Sequence, residues 1–359
     1  MMYIGVDLHK TKFTAYFSKN GRWREYGTNE TGYKSFLLDI RQIGEYRSAC
    51  VGVESTGNTR YFKNVLEQEG VTVKVINTCK FKVINESVNK TDKRDAATIA
   101  EFLEKDMLPE AKICSQYCEN VRLLLKARRD TVRHMVRLKN QIHSLLVSHG
   151  FEDKKASLQS KRGRHKIVSA LEKTSIGLIV HLLCSMLDEL SKKVKQIEAE
   201  IEKMVAGDRV IELLQTIPGC GKVTAWTIRA YTDDIARFKE SKHYAAYAGL
   251  VPWVRNSNET IHHGRITKRG PEELRTAFVQ LVMGMHRLTK TKDYRLMVQY
   301  RTMKKHKGSG KAIIATARKF SKIVWHMLRY NEPFNPDFMV DAKLTTVIEN
   351  MRKASVKSI

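Results

Sequence analysis

Along the first hundred residues the apolar positions come in short runs. Tyr3 to Val6 is apolar and ends at Asp7, Phe13 to Phe17 alternates with polar positions, and Gly21 to Tyr26 follows a Lys19-Asn20-Gly21 turn signal. This pattern predicts an antiparallel meander of three strands. The spacing then changes, predicting a helix over Asn29 to Ile43, a buried strand over Ala49 to Val53 ending at Glu54, and a helix over Asn58 to Glu69. A strand over Val71 to Ile76 and a helix over Asn89 to Glu104, with Ile99, Phe102 and Leu103 as its apolar positions, complete the segment. Strands first, then alternating helix and strand, describe a mixed α/β sheet.

From Gln116 to Ser148 there is no Pro or Gly, and apolar residues recur at four-three spacing: Val121, Leu125, Val132, Met135, Ile142 and Leu146, broken by Arg128 and Lys139. A second run, Leu183, Leu187, Leu190, Val194, Ile197, Ile201 and Met204, keeps the heptad unbroken. Two such helices are expected to form a coiled-coil hairpin, within one chain or between chains. After them, Val210 to Ile217 and Val223 to Tyr231 read as helices around Pro218-Gly219-Cys220-Gly221, and Glu272 to Leu288 and Ala312 to Leu328 as further helices. The expected organisation is an α/β domain over 1–114, the helical hairpin over 115–206, a mainly helical domain over 207–340 and a peripheral tail over 341–359.

Charge narrows the class of partner. In 359 residues, 64 Lys and Arg against 38 Asp and Glu leave +26. Polyanions are the first candidate, since phosphate neutralisation with counterion release supplies much of nucleic-acid affinity. An anionic membrane is the rival, but no apolar run approaches the roughly 18 to 20 residues needed to span one. The start, MMYIGVDLHK, lacks a signal-peptide core, so a cytoplasmic protein, acting on the nucleoid, is expected. Six cysteines (Cys50, Cys79, Cys114, Cys118, Cys184 and Cys220) lack paired zinc-finger spacing and read as reduced structural thiols.

Four carboxylates have chemical potential. Asp7 ends the first strand, Glu54 ends the fourth, and Asp92 and Asp95 are three apart on one predicted helix face. If the first and fourth strands are neighbours, the four converge. They would repel each other unless divalent cations lie between them, and paired Mg²⁺ ions can stabilise the attacking and leaving oxygens of a phosphodiester. The structural alternatives are an N-cap role for Asp92, a helix-dipole role for Asp95, and polar strand ends for Asp7 and Glu54.

A second chemical stretch runs from Ala248 to Gly270 and holds a lone Ser257 among Arg255, His262, His263, Arg265, Lys268 and Arg269. It reads as a loop in which those cations either activate the hydroxyl or hold phosphates. Two further stretches suit nucleic acid. The segment between the long helices, DKKASLQSKRGRHK, reads as a basic loop bearing Lys154, Lys155, Lys161, Arg162, Arg164 and Lys166. In the Pro218 to Gly221 corner, Gly219 and Gly221 would let backbone N–H groups approach a phosphate, with Lys222 opening the next helix.

These motifs, taken in order, resemble one family. GVDLHK at Gly5 to Lys10, VGVESTGN at Val51 to Asn58 and KTDKRDA at Lys90 to Ala96 resemble the RuvC-like DEDD domain of the IS one-ten family of insertion-sequence transposases, relatives of the Piv invertase. IPGCG at Ile217 to Gly221, AGLVP at Ala248 to Pro252 and HHGRITKRGPEELR at His262 to Arg275 resemble that family's carboxyl-terminal serine transposase domain. The resemblance implies an RNase H/RuvC-like mixed sheet, a coiled-coil hairpin and a helical domain with a helix-hairpin-helix-like motif. It implies Mg²⁺ held by Asp7, Glu54, Asp92 and Asp95, with Ser257 attacking a DNA phosphate to form a phosphoserine link. It also implies a structured bridge RNA pairing with donor and target DNA, and dimers or tetramers whose half-sites meet across subunits. One departure is Asn258 where many relatives have Gly after the serine; Asn tolerates left-handed backbone angles best after Gly. Thr260 is the fallback hydroxyl. The competing readings are a metal-dependent junction resolvase or nuclease that uses the carboxylates alone, and a non-catalytic nucleic-acid-binding protein.

Overall fold

The computed structural model describes residues 1–44, 48–78, 80–81, 91–151, 157–257 and 260–336, and of 254–263 the backbone only. They form two compact units, Met1–Cys114 and Ser115–Ile359.

The first unit is built on a five-stranded sheet: β1 (Met2–Leu8), β2 (Lys12–Phe17), β3 (Arg22–Gly27), β4 (Ala49–Glu54) and β5 (Thr72–Ile76). Its order is β3-β2-β1-β4-β5, with β1, β2 and β3 antiparallel and β1, β4 and β5 parallel, the RNase H-like arrangement. Alternation along β1 divides its residues between two environments. Ile4, Val6 and Leu8 are buried with Phe13, Ala15 and Phe17 of β2 against Phe36 and Ile40 of α1 (Glu30–Ile43) and Phe62 and Leu66 of α2 (Thr59–Gln68). The Phe13 ring makes edge contacts with Phe36 and Phe62. Tyr3, Gly5 and Asp7 alternate with that set and so face away from it. That opposite face carries α3 (Asp92–Glu104), which buries Ala96, Ile99, Ala100 and Leu103.

Gly5 and Gly52 are cross-strand partners beneath α3. A Cβ on Gly5 would lie 1.9 Å from the Ala96 carbonyl oxygen and 2.5 Å from the Ala100 nitrogen, so the helix backbone rests directly on the strand. The glycines of GVDLHK and VGVE are therefore spacers that set the height of α3 above the sheet.

In the second unit α4 (Gln116–Ser148) and α6 (Gly177–Met204) run antiparallel. Val121 and Leu125 share a core with Ile201 and Val205, while Ile142 and Leu146 meet Val180, Leu183, Cys184 and Leu187. The pairing is therefore within one chain. The two heptad interruptions have partners: Arg128 donates to Glu198 at 2.7 Å, and Lys139 donates to Gln159 at 2.6 Å. Part of the expected basic loop is instead helix α5 (Lys161–Leu171), capped by the Ser160 hydroxyl; Lys154 and Lys155 lie outside the described residues.

Beyond the hairpin come α7 (Arg209–Gln215), α8 (Lys222–Thr232) and α9 (Ser241–Tyr247), then the two-stranded sheet of β6 (Pro252–Ser257) and β7 (Thr260–Ile266). Helices α10 (Glu272–Arg287), α11 (Arg295–Lys307) and α12 (Ser309–Tyr330) follow. Tyr244, Phe278, Leu281, Phe320 and Val324 are central to their shared core. No described helix is long and apolar enough to cross a membrane. The tail beyond residue 336 lies outside the described residues.

Candidate functional site

The acids of the first unit are positioned by its strand pairing. Val6 pairs with Val53 in parallel register, so Asp7 and Glu54 occupy the next positions along neighbouring strands. The turn after β4 is tied down locally. The Thr59 hydroxyl donates to the Glu54 carbonyl at 2.8 Å and accepts from the Thr56 N–H at 2.7 Å. Asn58 reaches across and donates to the His9 carbonyl at 2.9 Å, joining the ends of β1 and α2.

Helix α3 begins at the same sheet end. Its N-cap is Thr91, whose side chain accepts from the Arg94 N–H, so capping does not explain Asp92. Asp92 and Asp95 both stand in the first turn. Asp7 is largely shielded, with 17% of its side chain exposed. Burial pushes its carboxyl above the ordinary range; Asp92 and Asp95 add to that rise, while His9 opposes it.

The histidine was missed as a site residue in the sequence, although it lies two residues beyond Asp7 within the GVDLHK motif. Its Nε2 is 3.2 Å from Asp7 Oδ2 and 3.4 Å from Asp92 Oδ2. Asp7, His9 and Asp92 each offer a ligand atom, all within 4.8 Å of one another. Oxygen and imidazole donors gathered at that distance, around a carboxyl whose charge is disfavoured, suit a divalent cation.

In the second unit the expected reactive loop is a β-hairpin. Ser257 pairs with Thr260, Arg255 with His262, and Val254 with His263, with a register shift between Pro252 and Val254. Ser257 is thus the last residue of β6, at the hairpin end; Asn258 lies outside the described residues, as do the side chains of Arg255, Ser257, Thr260, His262 and His263. Near the base, a Cβ on Gly264 would overlap the Trp253 ring at 1.9 Å, so the indole lies across the partner strand. Arg265, Lys268 and Arg269 are exposed, and Lys268 takes a left-handed turn with φ 51°.

The remaining basic residues differ in setting. Lys161 and Arg162 are exposed at the start of α5. Arg164 is a correction: it is buried, donating to Asp188 at 3.0 Å and to the Leu158 carbonyl at 2.9 Å. Lys222 is paired with Glu202. Gly219, at φ 84°, packs against the Gly284 backbone of α10, with a Cβ contact of 2.5 Å. Its missing side chain is required by helix packing, whereas Gly221 faces open space and caps α8 without a side-chain acceptor. Burial pushes the neighbouring Cys220 thiol up to about 12, which leaves it protonated.

Residues 4–150 match a family model for the DEDD domain described as a transposase, and residues 211–296 match one described as the transposase IS116/IS110/IS902 family. The chain belongs to the IS116/IS110/IS902 family of transposases. The IS1111A transposase of Coxiella burnetii is 25% identical over 92% of this chain and 90% of its own length. The pilin gene-inverting protein of Moraxella bovis is 25% identical over 93% of this chain and 97% of its own. The IS1328 transposase of Yersinia enterocolitica is 24% identical over 90% and 95%. As an IS116/IS110/IS902 transposase the chain is an enzyme that acts on DNA, and its DEDD domain implies a divalent metal. Asp7, His9 and Asp92 fall within the first matched region, and Ser257 within the second.

Proposed function

We propose that this transposase is an RNA-guided, site-specific recombinase that cuts and rejoins DNA through Ser257, with Asp7, Glu54, Asp92 and Asp95 holding Mg²⁺. The observation that carries this reading is the meeting of Asp7 and Asp92 at one sheet end, in a chain that also matches the family's second domain across Ser257. Mg²⁺, when bound, would stabilise the attacking and leaving oxygens of the phosphodiester.

The Ser257 Oγ attacks a DNA phosphorus, forming a P–O(Ser) bond as a P–O(DNA) bond breaks. The serine proton passes to solvent or a nearby base, and the leaving DNA oxygen takes one up as a free hydroxyl. A hydroxyl from a second strand then attacks the phosphoserine, restoring the serine. The number of phosphate ester bonds is conserved, so rejoining requires no external energy source.

Arg255, His262, His263, Arg265, Lys268 and Arg269 position the phosphate and offset developing charge. The α7–turn–α8 corner acts as a helix-hairpin-helix element, with the first turn of α8 beyond Gly221 receiving a backbone phosphate and the exposed Lys222 ammonium exchanging its Glu202 partner for it. Lys161 and Arg162 extend the cationic surface along the coiled-coil hairpin. In the first unit the half-exposed Trp23 on edge strand β3, with Lys93 Nζ 3.2 Å from its ring centroid, offers a stacking face for a base. Net charge of +26 suits two polyanions, target DNA and a bridge RNA, acting on a dimer or tetramer.

Ser257→Ala tests the chemistry. It is expected to abolish both strand transfer and the covalent protein–DNA adduct. DNA cleavage that persists in Ser257→Ala with no protein–DNA adduct leaves the carboxylate-only nuclease as the reading, which the gathered acids of the first unit support by themselves, and an adduct that persists puts the nucleophile on another side chain. Sequencing RNA that co-purifies with the protein tests guidance: one abundant RNA encoded beside the gene is expected, and random fragments contradict it.

A further inference from the structure

We propose that His9 is itself a ligand of the metal centre, so that the site holds an imidazole nitrogen beside its carboxylates and favours Mn²⁺ over Mg²⁺. The proposal rests on the metal-binding reading of Asp7 and Asp92.

Geometry carries it. Two ligands on adjacent vertices of an octahedron, each about 2.1 Å from the ion, are separated by roughly 3.0 Å. The His9 Nε2 lies 3.2 Å from one Asp7 oxygen and 3.4 Å from one Asp92 oxygen, close to two such edges. Small adjustments within the side chains would bring all three onto one ion.

The backbone at His9 is held from both sides. Its N–H donates to the Lys12 carbonyl at 3.0 Å, and its carbonyl accepts from Asn58 Nδ2 at 2.9 Å. The ring is therefore carried on an anchored turn while 48% of the side chain remains exposed, leaving an approach for water or a phosphate oxygen. Imidazole is a ligand of transition ions; Mn²⁺, the weakest-binding of that series and otherwise at home with oxygen donors, takes a nitrogen ligand more readily than Mg²⁺, which is bound through oxygen. A carboxylate-only centre lacks that bias.

A hydrogen bond from His9 to the two acids is the competing role, and pulsed EPR on the full-length protein loaded with Mn²⁺ separates the two. Ligation predicts nitrogen hyperfine modulation from a coordinated imidazole in the wild type. It predicts loss of that modulation in His9→Ala and His9→Gln, and its retention in His181→Ala, a variant on the exposed side of α6. Mn²⁺ affinity should fall at least ~10-fold in both His9 variants, with Mg²⁺ affinity changing far less. Circular dichroism melts confirm that the variants fold. Bound Mn²⁺ without nitrogen modulation in the wild type overturns the proposal, as does full Mn²⁺ affinity in His9→Gln, which keeps a hydrogen-bond donor but no imidazole. Asp7→Asn distinguishes the two levels of inference. If the wild type binds Mn²⁺ and Asp7→Asn abolishes binding, the metal reading stands whatever His9 does; if the wild type binds none, or Asp7→Asn binds as well, both fall.

Discussion

Substituting Gly5 by Ala removes no acid, yet it should disable the metal centre. The added Cβ would lie 1.9 Å from the Ala96 carbonyl oxygen, where ordinary contact begins near 3.4 Å. Helix α3 must therefore withdraw from β1 by roughly 1.5 Å, and backbone atoms cannot rotate out of the way as a side chain can. Overpacking of this kind costs about 1 to 3 kcal/mol, which for a unit of this size corresponds to a fall in melting temperature of about 5 to 20 °C. The same withdrawal carries Asp92 and Asp95 away from Asp7, and metal ligands tolerate errors of only about 0.2 Å. Gly52→Ala provides a graded comparison, since its nearest neighbours are side-chain ends, Ile99 Cγ2 at 2.9 Å and Leu108 Cδ1 at 3.2 Å. Calorimetric Mn²⁺ titration and thermal melts of both variants read out the effect. Gly5→Ala should lose at least ~100-fold in metal-dependent cleavage, the scale of a 1 Å misplacement, with Gly52→Ala intermediate. Wild-type metal affinity and melting temperature in Gly5→Ala would refute the reasoning.

Other perturbations address the second unit and the nucleic-acid surface. Arg164→Ala leaves Asp188 without its buried partner and should cost about 3 to 5 kcal/mol, seen as a lowered melting temperature, while Arg162→Ala leaves stability intact and reduces the salt slope of DNA binding by about 1. Trp23→Ala should weaken binding of single-stranded DNA by the ~1 to 3 kcal/mol of a base–aromatic stack without changing that slope. Asp233 supplies a pH test. Burial raises its carboxyl pKa, but donation from the Ser115 hydroxyl and N–H, with Arg229 nearby, outweighs burial and leaves it below the ordinary value. The folded state then binds fewer protons than the unfolded one, so the stabilisation is complete above the unfolded value of about 3.9 and is lost as pH falls through the folded value. Melts should show Asp233→Asn less stable than wild type at neutral pH, with the gap closing in acid; a gap that widens in acid contradicts the assignment.

Where burial imposed a period, the fold was legible. Ile4, Val6 and Leu8 against Asp7 in β1, and the heptads of α4 and α6, mark faces that must leave water. Polar elements were not legible in this way. Helix α5 reads as a loop in the sequence because its Lys and Arg residues dominate, although Ser160 caps it and Leu171 is buried. Helix α11 buries only Leu296, Met297 and Tyr300, too few to mark a helix. The β6–β7 hairpin was hidden because Arg, His and Gly interrupt its alternation. The site was legible as carboxylates at strand ends, and the close approach of Asp92 to Asp7 depended on strand register and on the Gly5 contact. His9 does not stand out in the sequence because its place beside two acids depends on the turn that brings its ring back toward them, which spacing alone does not state. Arg164 resembled its exposed neighbours in sequence; only the packing of α5 onto α6 distinguishes it.

The central claim, serine chemistry in a DEDD transposase, is tested most directly by trapping the reaction on a cognate DNA and mapping the crosslinked peptide by mass spectrometry. The account predicts a phosphodiester link between DNA and the Ser257 side chain, absent from Ser257→Ala and from Asp7→Asn. DNA joined to Thr260, or strand transfer proceeding undiminished in Ser257→Ala, would contradict it.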